Sequence, residues 1–585
     1  MTPRRAPWAA VLAALLAVPL LAAPAGADDP ATDPAPVTAE ETAEAALAAV
    51  EEIIESGAAA ADSGDAGTGD AGDPDATDGT HDADHTGDEP ATEGLRAGGK
   101  DLTLALRDLA AARSDLPKSK REAAGRLLAR PDDSLVVCND RDEGDLVCYG
   151  GREGVKRTCN SMLCVHWVNR KTSARHGVPG ENDGPGGRYP GKAGGAPDYV
   201  EFVLSTLTRV AQTYRKAGYR DVLSDGTKGG DARPDIYLGE LGDLGAYGYC
   251  TTDDHSVTEH VPAPAYCVLD NDYAEFGIAP RSALRATAAH EWFHAVQFAY
   301  DLNEDAWLME ATATWIEDQV FDGINDNRNY LPYGPLAPPP PRGPRPPRPP
   351  PPPSQPSQYG SWIFFQFLGE RYPSSAGGMP IIVREIWRRL AHDGGVGAKG
   401  MYSVEAVRSS LSKRGSSLAT ELSKFTIWNR RPAAFYDEGA AYRASPTRRT
   451  FNLRGGAPAG SFRFRLDHLA ASTVRFNRGS GLTKRHWVQL KLNLNDRAVG
   501  SRAVLTVKRK GKAAKTSMVS LNVHGNRAFD VRFGPAVQWI DVTVLNTSTR
   551  FGGCDDPDRD ASTTCHGFAR DDNRLQAVTG RAYRR

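Results

Sequence analysis

The chain has 585 residues, is 40% hydrophobic and 24% charged, and carries a formal net charge of −3. These numbers exclude a single small domain and predict a multidomain protein with two or three hydrophobic cores. The charge is uneven, because residues 28–95 contain 20 Asp and Glu but no Lys or Arg, which leaves +15 on residues 96–585. Those basic residues are dispersed without an aromatic-basic motif, so we expect no nucleic-acid partner.

The first residues have the three parts of a secretory signal: two arginines, an apolar stretch over 6–23 and an A-x-A site that ends at Ala27. We therefore predict a signal peptide over 1–27 and a secreted, extracellular protein. A transmembrane anchor is the alternative, but Pro19 and Pro24 interrupt the apolar stretch. No later stretch is long and apolar enough to span a bilayer, so we expect no membrane span.

Residues 28–94 consist largely of Ala, Asp, Gly, Thr and Pro, and they offer too little apolar area to offset the entropy of ordering. One exception, residues 39–55, has the composition of a short helix. Leucines over 100–130 then predict two amphipathic helices broken near Pro117. We interpret residues 28–130 as a prosegment with a disordered acidic lead, removed on maturation. A permanent acidic tail is the alternative.

Eight cysteines, an even number, fit the oxidising compartment that a signal peptide implies. They lie in close neighbours along the chain, and this spacing predicts four local disulfides: Cys138–Cys148, Cys159–Cys164, Cys250–Cys267 and Cys554–Cys565. A cysteine zinc site over 138–164 is the rival interpretation, but that stretch lacks the C-x-x-C spacing of such sites.

Residues 131–450 alternate strand-like and helix-like segments, which predicts an α+β domain. Strands are predicted at 163–168, 235–238 and 265–270, and long helices at 281–300 and 305–320. A proline-rich run over 335–356 must be extended and exposed, which makes it an insertion or tether. Asp225, Asp231 and Asp235 could bind calcium, but without EF-hand spacing a solvated loop is favoured.

Over residues 451–585 the hydrophobic period changes to two, as in 487–494 and 537–544. Several such strands, separated by Gly, Asn and Asp turns, predict a separate C-terminal β-sandwich. Modules of this kind usually bind or support rather than catalyse, and the sequence names no ligand for this one.

The decisive motif is His290-Glu-Trp-Phe-His294, inside the helix predicted at 281–300. Residues four apart share a helix face, so both imidazoles can reach one tetrahedral cation, and Glu291 projects beside them toward a metal-bound water. The flanks favour a helix, because alanines precede the motif and no Gly or Pro interrupts it. A pair of ordinary surface or core histidines on a helix is the alternative.

A zinc site of peptidase type needs a third protein ligand and an open fourth position for water. Glu310 lies early in the following helix, after a polar turn that lets the chain reverse, so two antiparallel helices can present both histidines and Glu310 to one point. Glu304 and Asp305 compete for this role, but they lie in the turn itself. A ligand carried by a helix is better positioned, which favours Glu310.

These residues resemble the gluzincin metallopeptidases, in which H-E-x-x-H on one helix is completed by a glutamate on the next. The segment 307–313 around Glu310 is similar to the W-L-x-E-x-x-A segment of aminopeptidase-type members. The spacing from His294 is shorter than in those families, and Thr314 stands where thermolysin-like members carry an aspartate. A closer resemblance is to a group of secreted bacterial metalloproteases with an H-E-x-F-H-A-x-Q-F-x-Y core, here residues 290–300.

The resemblance implies a zincin-like metallopeptidase domain over 131–450 that holds one catalytic Zn²⁺ on the three ligands and cleaves a peptide or protein substrate. Glu291 would be the general base that deprotonates the water, while zinc polarises the scissile carbonyl. Tyr359, after the proline-rich run, is the candidate second donor to the oxyanion. The strand at 265–270 would be the edge strand that pairs with an extended substrate.

Two other functions remain open. A non-catalytic secreted binding or adhesive protein would use the zinc site structurally, but a closed site needs a fourth protein ligand and gives Glu291 no purpose. A zinc hydrolase that acts on a non-peptide bond would use the same site chemistry. Zinc content measured together with peptide cleavage separates the three functions.

Overall fold

The structure, a computed structural model, describes residues 38–62, 102–133, 146–149, 154–171, 173–180, 189, 195–258, 260–337, 357–392, 400–554, 565 and 567–585. They belong to one compact unit, Val37–Arg585. The predicted signal peptide, residues 63–101 of the predicted prosegment and residues 338–356 of the proline-rich run lie outside the described residues.

The described residues form both helices and strands. The helices are α1 (Ala39–Asp62), α2 (Leu102–Ala112), α3 (Lys118–Leu127), α4 (Asp198–Ala217), α5 (Pro280–Phe298), α6 (Ala306–Val320), α7 (Ser357–Gly360), α8 (Trp362–Arg371), α9 (Ile381–Leu390), α10 (Val404–Ser412) and α11 (Leu418–Asn429). The strands are β1 (Lys156–Cys159), β2 (Cys164–Asn169), β3 (Gly177–Val178), β4 (Asp235–Gly239), β5 (Gly248–Thr251), β6 (Tyr266–Asp270), β7 (Ser375–Ala376), β8 (Met379–Pro380), β9 (Arg449–Leu453), β10 (Ala459–Leu466), β11 (Ala471–Arg478), β12 (His486–Asn493), β13 (Ser501–Arg509), β14 (Lys515–Met518), β15 (Asn526–Arg532), β16 (Val537–Asn546), β17 (Phe551–Gly552), β18 (Phe568–Ala569) and β19 (Arg574–Arg584).

A mixed sheet in the order β1-β2-β4-β6-β5 supports the helices of the first part of the chain. β2, β4 and β6 run parallel, whereas β1 and β5 are antiparallel to their neighbours. β4 and β6 are buried at every position, and this burial explains their nearly continuous apolar sequences. α5 packs against β5 and β6, and α4 packs against β2.

The strand predicted at 265–270 forms as β6, but it is not an edge strand. It pairs with β4 on one side and with β5 on the other, so the predicted edge position is wrong. β5 ends the sheet instead. The sequence did not indicate β5 because four residues that begin with Gly248 are too few to show a period.

α5 and α6 pack against each other and are joined by residues 299–305. α5 begins with Pro280, whose fixed φ suits the first helical turn, and residues 286–298 are buried on every side of the helix. α6 is buried from Leu308 to Asp318. Both predicted helices are confirmed, with ends that differ by no more than two residues from 281–300 and 305–320.

Three helices from the predicted prosegment pack into the same hydrophobic core as α5. Val50 of α1 and Leu102, Leu106 and Leu109 of α2 are fully buried in it. The predicted helices are confirmed, and Pro117 lies between α2 and α3 as expected. The hydrophobic core of the domain predicted over 131–450 therefore includes residues that lie well before residue 131.

Beyond residue 449 the chain forms two antiparallel-rich sheets around a second hydrophobic core. Their strand orders are β10-β19-β12-β15 and β14-β13-β16-β11-β9. The segments predicted from period-two patterning form β12 and β16, whose inward residues alternate with exposed ones along β12. The fold is α+β, with sheets like those of a β-sandwich in its C-terminal part.

Three of the predicted disulfides are present: Cys159–Cys164, Cys250–Cys267 and Cys554–Cys565. Cys148 is also disulfide-bonded, and its predicted partner Cys138 lies outside the described residues. Among the helices of the described ranges, none combines the length and the apolar character needed to cross a bilayer.

Candidate metal centre

α5 and α6 bring together the three residues that the sequence predicts as metal ligands. Nε2 of His290 lies 3.1 Å from Oε2 of Glu310, and Nε2 of His294 lies 3.5 Å from Oε1 of the same carboxylate. Tetrahedral zinc with Zn–N bonds of about 2.0–2.1 Å separates its ligand atoms by about 3.3 Å. The spacing of these three side chains therefore suits one such ion.

The outer nitrogens of both imidazoles are hydrogen-bonded. Nδ1 of His290 lies 2.6 Å from Oε1 of Glu317, and Nδ1 of His294 lies 2.7 Å from Oε1 of Gln297. A neutral imidazole has one N–H, so donation from Nδ1 leaves the lone pair on Nε2, which faces Glu310. Partners of this kind fix the ring orientation of metal-binding histidines.

Gln297 is itself held in place, because its Nε2 donates to the carbonyl of Met309 at 3.0 Å and to Oγ1 of Thr312 at 3.1 Å. α6 thus supports His294 through Gln297 and supports His290 directly through Glu317. The sequence prediction did not include Gln297 or Glu317 as supporting residues. Their signal was present in the spacing, since Gln297 is three residues after His294 and Glu317 is two helical turns after Glu310.

Two atoms at the centre of the group have no hydrogen-bond partner in the described structure: Nε2 of His294 and Oε1 of Glu310. Both side chains are fully buried, and burial of an unpaired polar atom is costly. Burial alone would raise the pKa of Glu310, but the neighbouring His294 and His290 outweigh it and lower that pKa to about 2. An ionised carboxylate with unsatisfied nitrogen and oxygen atoms around one point fits a bound divalent cation.

Glu291 lies beside this group and is held by a residue from the predicted prosegment. Oγ1 of Thr103 donates to Oε2 of Glu291 at 2.9 Å and accepts the backbone N–H of Cys250 at 2.9 Å. Burial raises the pKa of Glu291, although His294 and His290 counteract this. The position of Glu291 beside the ligand group is the one expected of a general base.

β5 approaches Glu291 closely because residue 248 has no side chain. A Cβ on Gly248 would lie 2.9 Å from Cγ2 of Thr287 and 3.0 Å from Cγ of Glu291. These separations are shorter than a normal contact. Glycine therefore lets the edge strand lie directly against the helix that carries the H-E-x-x-H motif.

Tyr359, the predicted oxyanion donor, is buried in α7 next to the ligand group. Its ring centroid lies 6.2 Å from the ring of His290 and 5.2 Å from the ring of Tyr330. The structure places the residue near the candidate centre, and its catalytic role stays a prediction.

The alternative third ligands lie elsewhere. Oε1 of Glu304 accepts the backbone N–H groups of Asp305 and Ser403, and Oδ2 of Asp305 accepts the hydroxyl of Ser403. Neither carboxylate belongs to the group formed by the two histidines and Glu310. The polar turn instead anchors the start of α6 to the segment that precedes α10.

The aspartates considered for calcium are engaged by arginines. Asp225 and Asp235 both form ion pairs with Arg130, and Asp231 pairs with Arg233 and Arg157. Asp225 and Asp235 are buried, so the solvated loop favoured by the sequence does not describe them. A cation of the chain itself therefore already faces these carboxylates.

Comparisons with known proteins give no family for the chain, because no family model and no curated protein matches it. Among solved structures, the pre-peptidase C-terminal domain of a collagenase from Bacillus anthracis matches 24% of this chain and 97% of its own length, at 10% identity and a TM-score of 0.14. A periplasmic inhibitor of g-type lysozyme from Salmonella Typhimurium matches 23% of this chain and 96% of its own, at 13% identity and a TM-score of 0.14. A surface-associated copper-binding protein of Methylomicrobium album BG8 matches 23% of this chain and 98% of its own, at 12% identity and a TM-score of 0.14. Scores this low support no argument about function.

Proposed function

We propose that this protein is a secreted zinc-dependent peptidase of the gluzincin type, with a zincin-like catalytic domain over 131–450. The observation that carries the proposal is the convergence of three buried ligand atoms whose imidazole partners are fixed from behind. Zinc is favoured over magnesium or calcium because two of the three donors are imidazole nitrogens. The resemblance of the H-E-x-x-H segment and the signal-like N-terminus supports the same conclusion.

A bound zinc ion supplies a Lewis acid for the scissile carbonyl and for the attacking water. Glu291 accepts the proton of that water on its carboxylate and passes it to the departing amine, so that one residue acts as base and then as acid. Tyr359 is proposed to donate its hydroxyl proton to the oxyanion.

Metal content and peptide cleavage together test the proposal. Glu291→Gln retains both histidines and Glu310, so we expect stoichiometric zinc with a fall in turnover of roughly 10²–10⁴, the usual contribution of a general base. Glu385→Gln, on a half-exposed stretch of α9, is the matched control and should cleave a peptide library at the unmodified rate. Cleavage by Glu291→Gln at the unmodified rate would refute the mechanism, and a zinc-bound chain that cleaves no peptide would favour a structural site.

The contact made by Thr103 supports a latent form of the enzyme while α2 is in place. Because Cys250 donates its N–H to Thr103, that N–H is turned away from β6, toward the outer edge of β5. An extended substrate that adds a strand to β5 needs such outward N–H groups. Thr103 therefore competes with substrate at the edge strand and holds Glu291 at the same time.

Activity before and after removal of residues 28–130 tests this latent form. We expect the intact chain to be less active than the processed one, and Thr103→Val to raise the activity of the intact chain. Thr42→Val, which changes an exposed threonine of α1, is the control and should have no effect. Full activity of a chain that still begins at Asp28, unchanged by Thr103→Val, would contradict an inhibitory prosegment.

A further inference from the structure

A second group of two histidines and one carboxylate lies beyond the C-terminal end of α5. Oδ2 of Asp301 is 3.2 Å from Nδ1 of His260 and 3.1 Å from Nδ1 of His392. The two imidazole rings stack with centroids 5.2 Å apart. The separations match the roughly 3.3 Å expected between ligand atoms of a tetrahedral zinc ion, as they do at the first site.

The group is buried, and its hydrogen bonding is incomplete. The side chain of Asp301 is fully buried and that of His392 is 9% exposed, whereas that of His260 is 25% exposed. Nδ1 of His392 is buried without a hydrogen bond of acceptable geometry, although a carboxylate oxygen lies 3.1 Å away. A buried ring nitrogen held this close to a carboxylate oxygen, with no hydrogen bond that meets the geometric criteria in the described structure, is placed where a second ligand to a shared cation would lie.

Three chain segments hold these ligands in register. The N–H of Leu302 donates to the carbonyl of Val261 at 2.9 Å, the N–H of Ala263 to the carbonyl of Phe298 at 2.9 Å, and the N–H of His392 to the carbonyl of Tyr300 at 3.2 Å. Oδ1 of Asp301 accepts the N–H of Asn303, which leaves Oδ2 for the imidazoles. The backbone therefore preorganises the site before any ion binds.

We propose that His260, Asp301 and His392 bind a second transition-metal ion, with zinc the best match to two imidazole nitrogens and one carboxylate oxygen. The side chain of His260 is 25% exposed, so solvent reaches the site and a water would fill the fourth position. The ion would connect the segment that begins at His260, the α5–α6 connection and the chain that leaves α9. It would stabilise the α5–α6 connection and thereby the start of α6, the helix that carries Glu310.

Zinc counting on the full-length chain tests this proposal, with protein that carries no polyhistidine tag, is stripped with a chelator and is dialysed against buffered Zn²⁺. We expect two ions for the unmodified chain, one for Glu310→Ala, one for His392→Gln and none for the double variant. His166→Gln, which removes another buried histidine that contacts an aspartate, should keep both ions. A single ion in the unmodified chain that is lost in Glu310→Ala, or an unchanged count in His392→Gln, would overturn the proposal.

A second measurement does not depend on the folding of His392→Gln. In the Glu310→Ala protein, added zinc should raise the Tm in a concentration-dependent way, because an ion that binds only the native state stabilises it. Magnesium should have no such effect, since it prefers oxygen ligands. An unchanged Tm in zinc would mean that the three side chains form only a hydrogen-bonded group. Neither measurement uses peptide cleavage, so the result is independent of whether the chain is a peptidase.

Discussion

Two buried clusters of charged residues differ in what balances their carboxylates. In the first, Arg130 forms ion pairs with Asp225, Asp235 and Asp253. In the second, Glu310 faces imidazole nitrogens of His290 and His294, and atoms on both sides have no hydrogen-bond partner in the described structure. Arg130 supplies the first cluster with a cation of the chain itself, whereas the proposed zinc ion would supply one to the second. Clustered acidic residues alone therefore do not indicate a metal site.

The largest effect is expected from Glu310→Ala, in the cluster formed with His290 and His294. Loss of the anionic ligand leaves two imidazoles, so zinc should be lost on dialysis from this site, together with peptide cleavage. Asp305→Asn, which changes a rejected candidate in the neighbouring turn, should retain both. If Glu310→Ala binds zinc at this site as tightly as the unmodified chain does, Glu310 is not a ligand. The cluster would then resemble the Arg130 cluster, whose carboxylates bind no metal ion in our interpretation.

Arg130→Met at the first cluster should lower the free energy of unfolding by about 3–5 kcal/mol, because three buried or half-buried carboxylates lose their shared cation. Zinc content should not change while the protein is folded. Arg215→Met, which breaks an exposed pair with Asp221, is the control and should cost only about 0–1 kcal/mol. Urea unfolding measures both, and equal effects from the two arginines would mean that burial does not distinguish the pairs.

Glu317→Gln should weaken zinc binding at the site of His290, His294 and Glu310 by about 10–100-fold. No ligand is removed, but His290 loses its charged partner. Competition with a chelator of known affinity measures this change. Gln319→Glu, on the same helix but bonded to Gln366 away from the ligands, is the control. An unchanged zinc affinity would show that the negative charge of Glu317 does not contribute to zinc binding.

The smallest effect is expected from calcium. Because Arg130 and Arg233 already pair with Asp225, Asp235 and Asp231, millimolar calcium should leave the Tm unchanged. Zinc added to the same chelated protein is the positive control and should raise it. A calcium-dependent rise in Tm that disappears in Asp231→Asn would restore the calcium site.

Much of the candidate metal centre can be predicted from the sequence, because its ligands lie close to one another along the chain. The H-E-x-x-H spacing and the amphipathic pattern of the next helix are enough to bring His290, His294 and Glu310 to one place. The contact between Thr103 and Glu291 joins residues 188 apart, and no short-range pattern reports it. The position of β5 had a signal that was not used, since the predicted disulfide between Cys250 and Cys267 places residue 250 beside the strand predicted at 265–270.

The front of the chain shows the same limit. Helical periodicity identified α2 and α3, but it could not reveal that Leu102 and Leu106 are fully buried in the core of the following domain. Arg130, at the end of the predicted prosegment, is buried among aspartates that follow it by 95 or more residues. Composition distinguishes an acidic N-terminal segment from the basic remainder of the chain. The boundary of the folded domain depends on side-chain packing, which composition does not report.

Glycine at position 248 has a consequence for how this sequence can diverge. A Cβ there would lie 2.9 Å from Thr287 and 3.0 Å from Glu291, so these side chains, or the strand and the helix themselves, would have to shift. A homologue that keeps the H-E-x-x-H motif should therefore keep glycine at this position, even where the rest of β5 varies. A lineage that has lost the motif keeps most of that constraint, because Thr287 and Leu269 approach position 248 as closely as Glu291 does, and large side chains should stay excluded there.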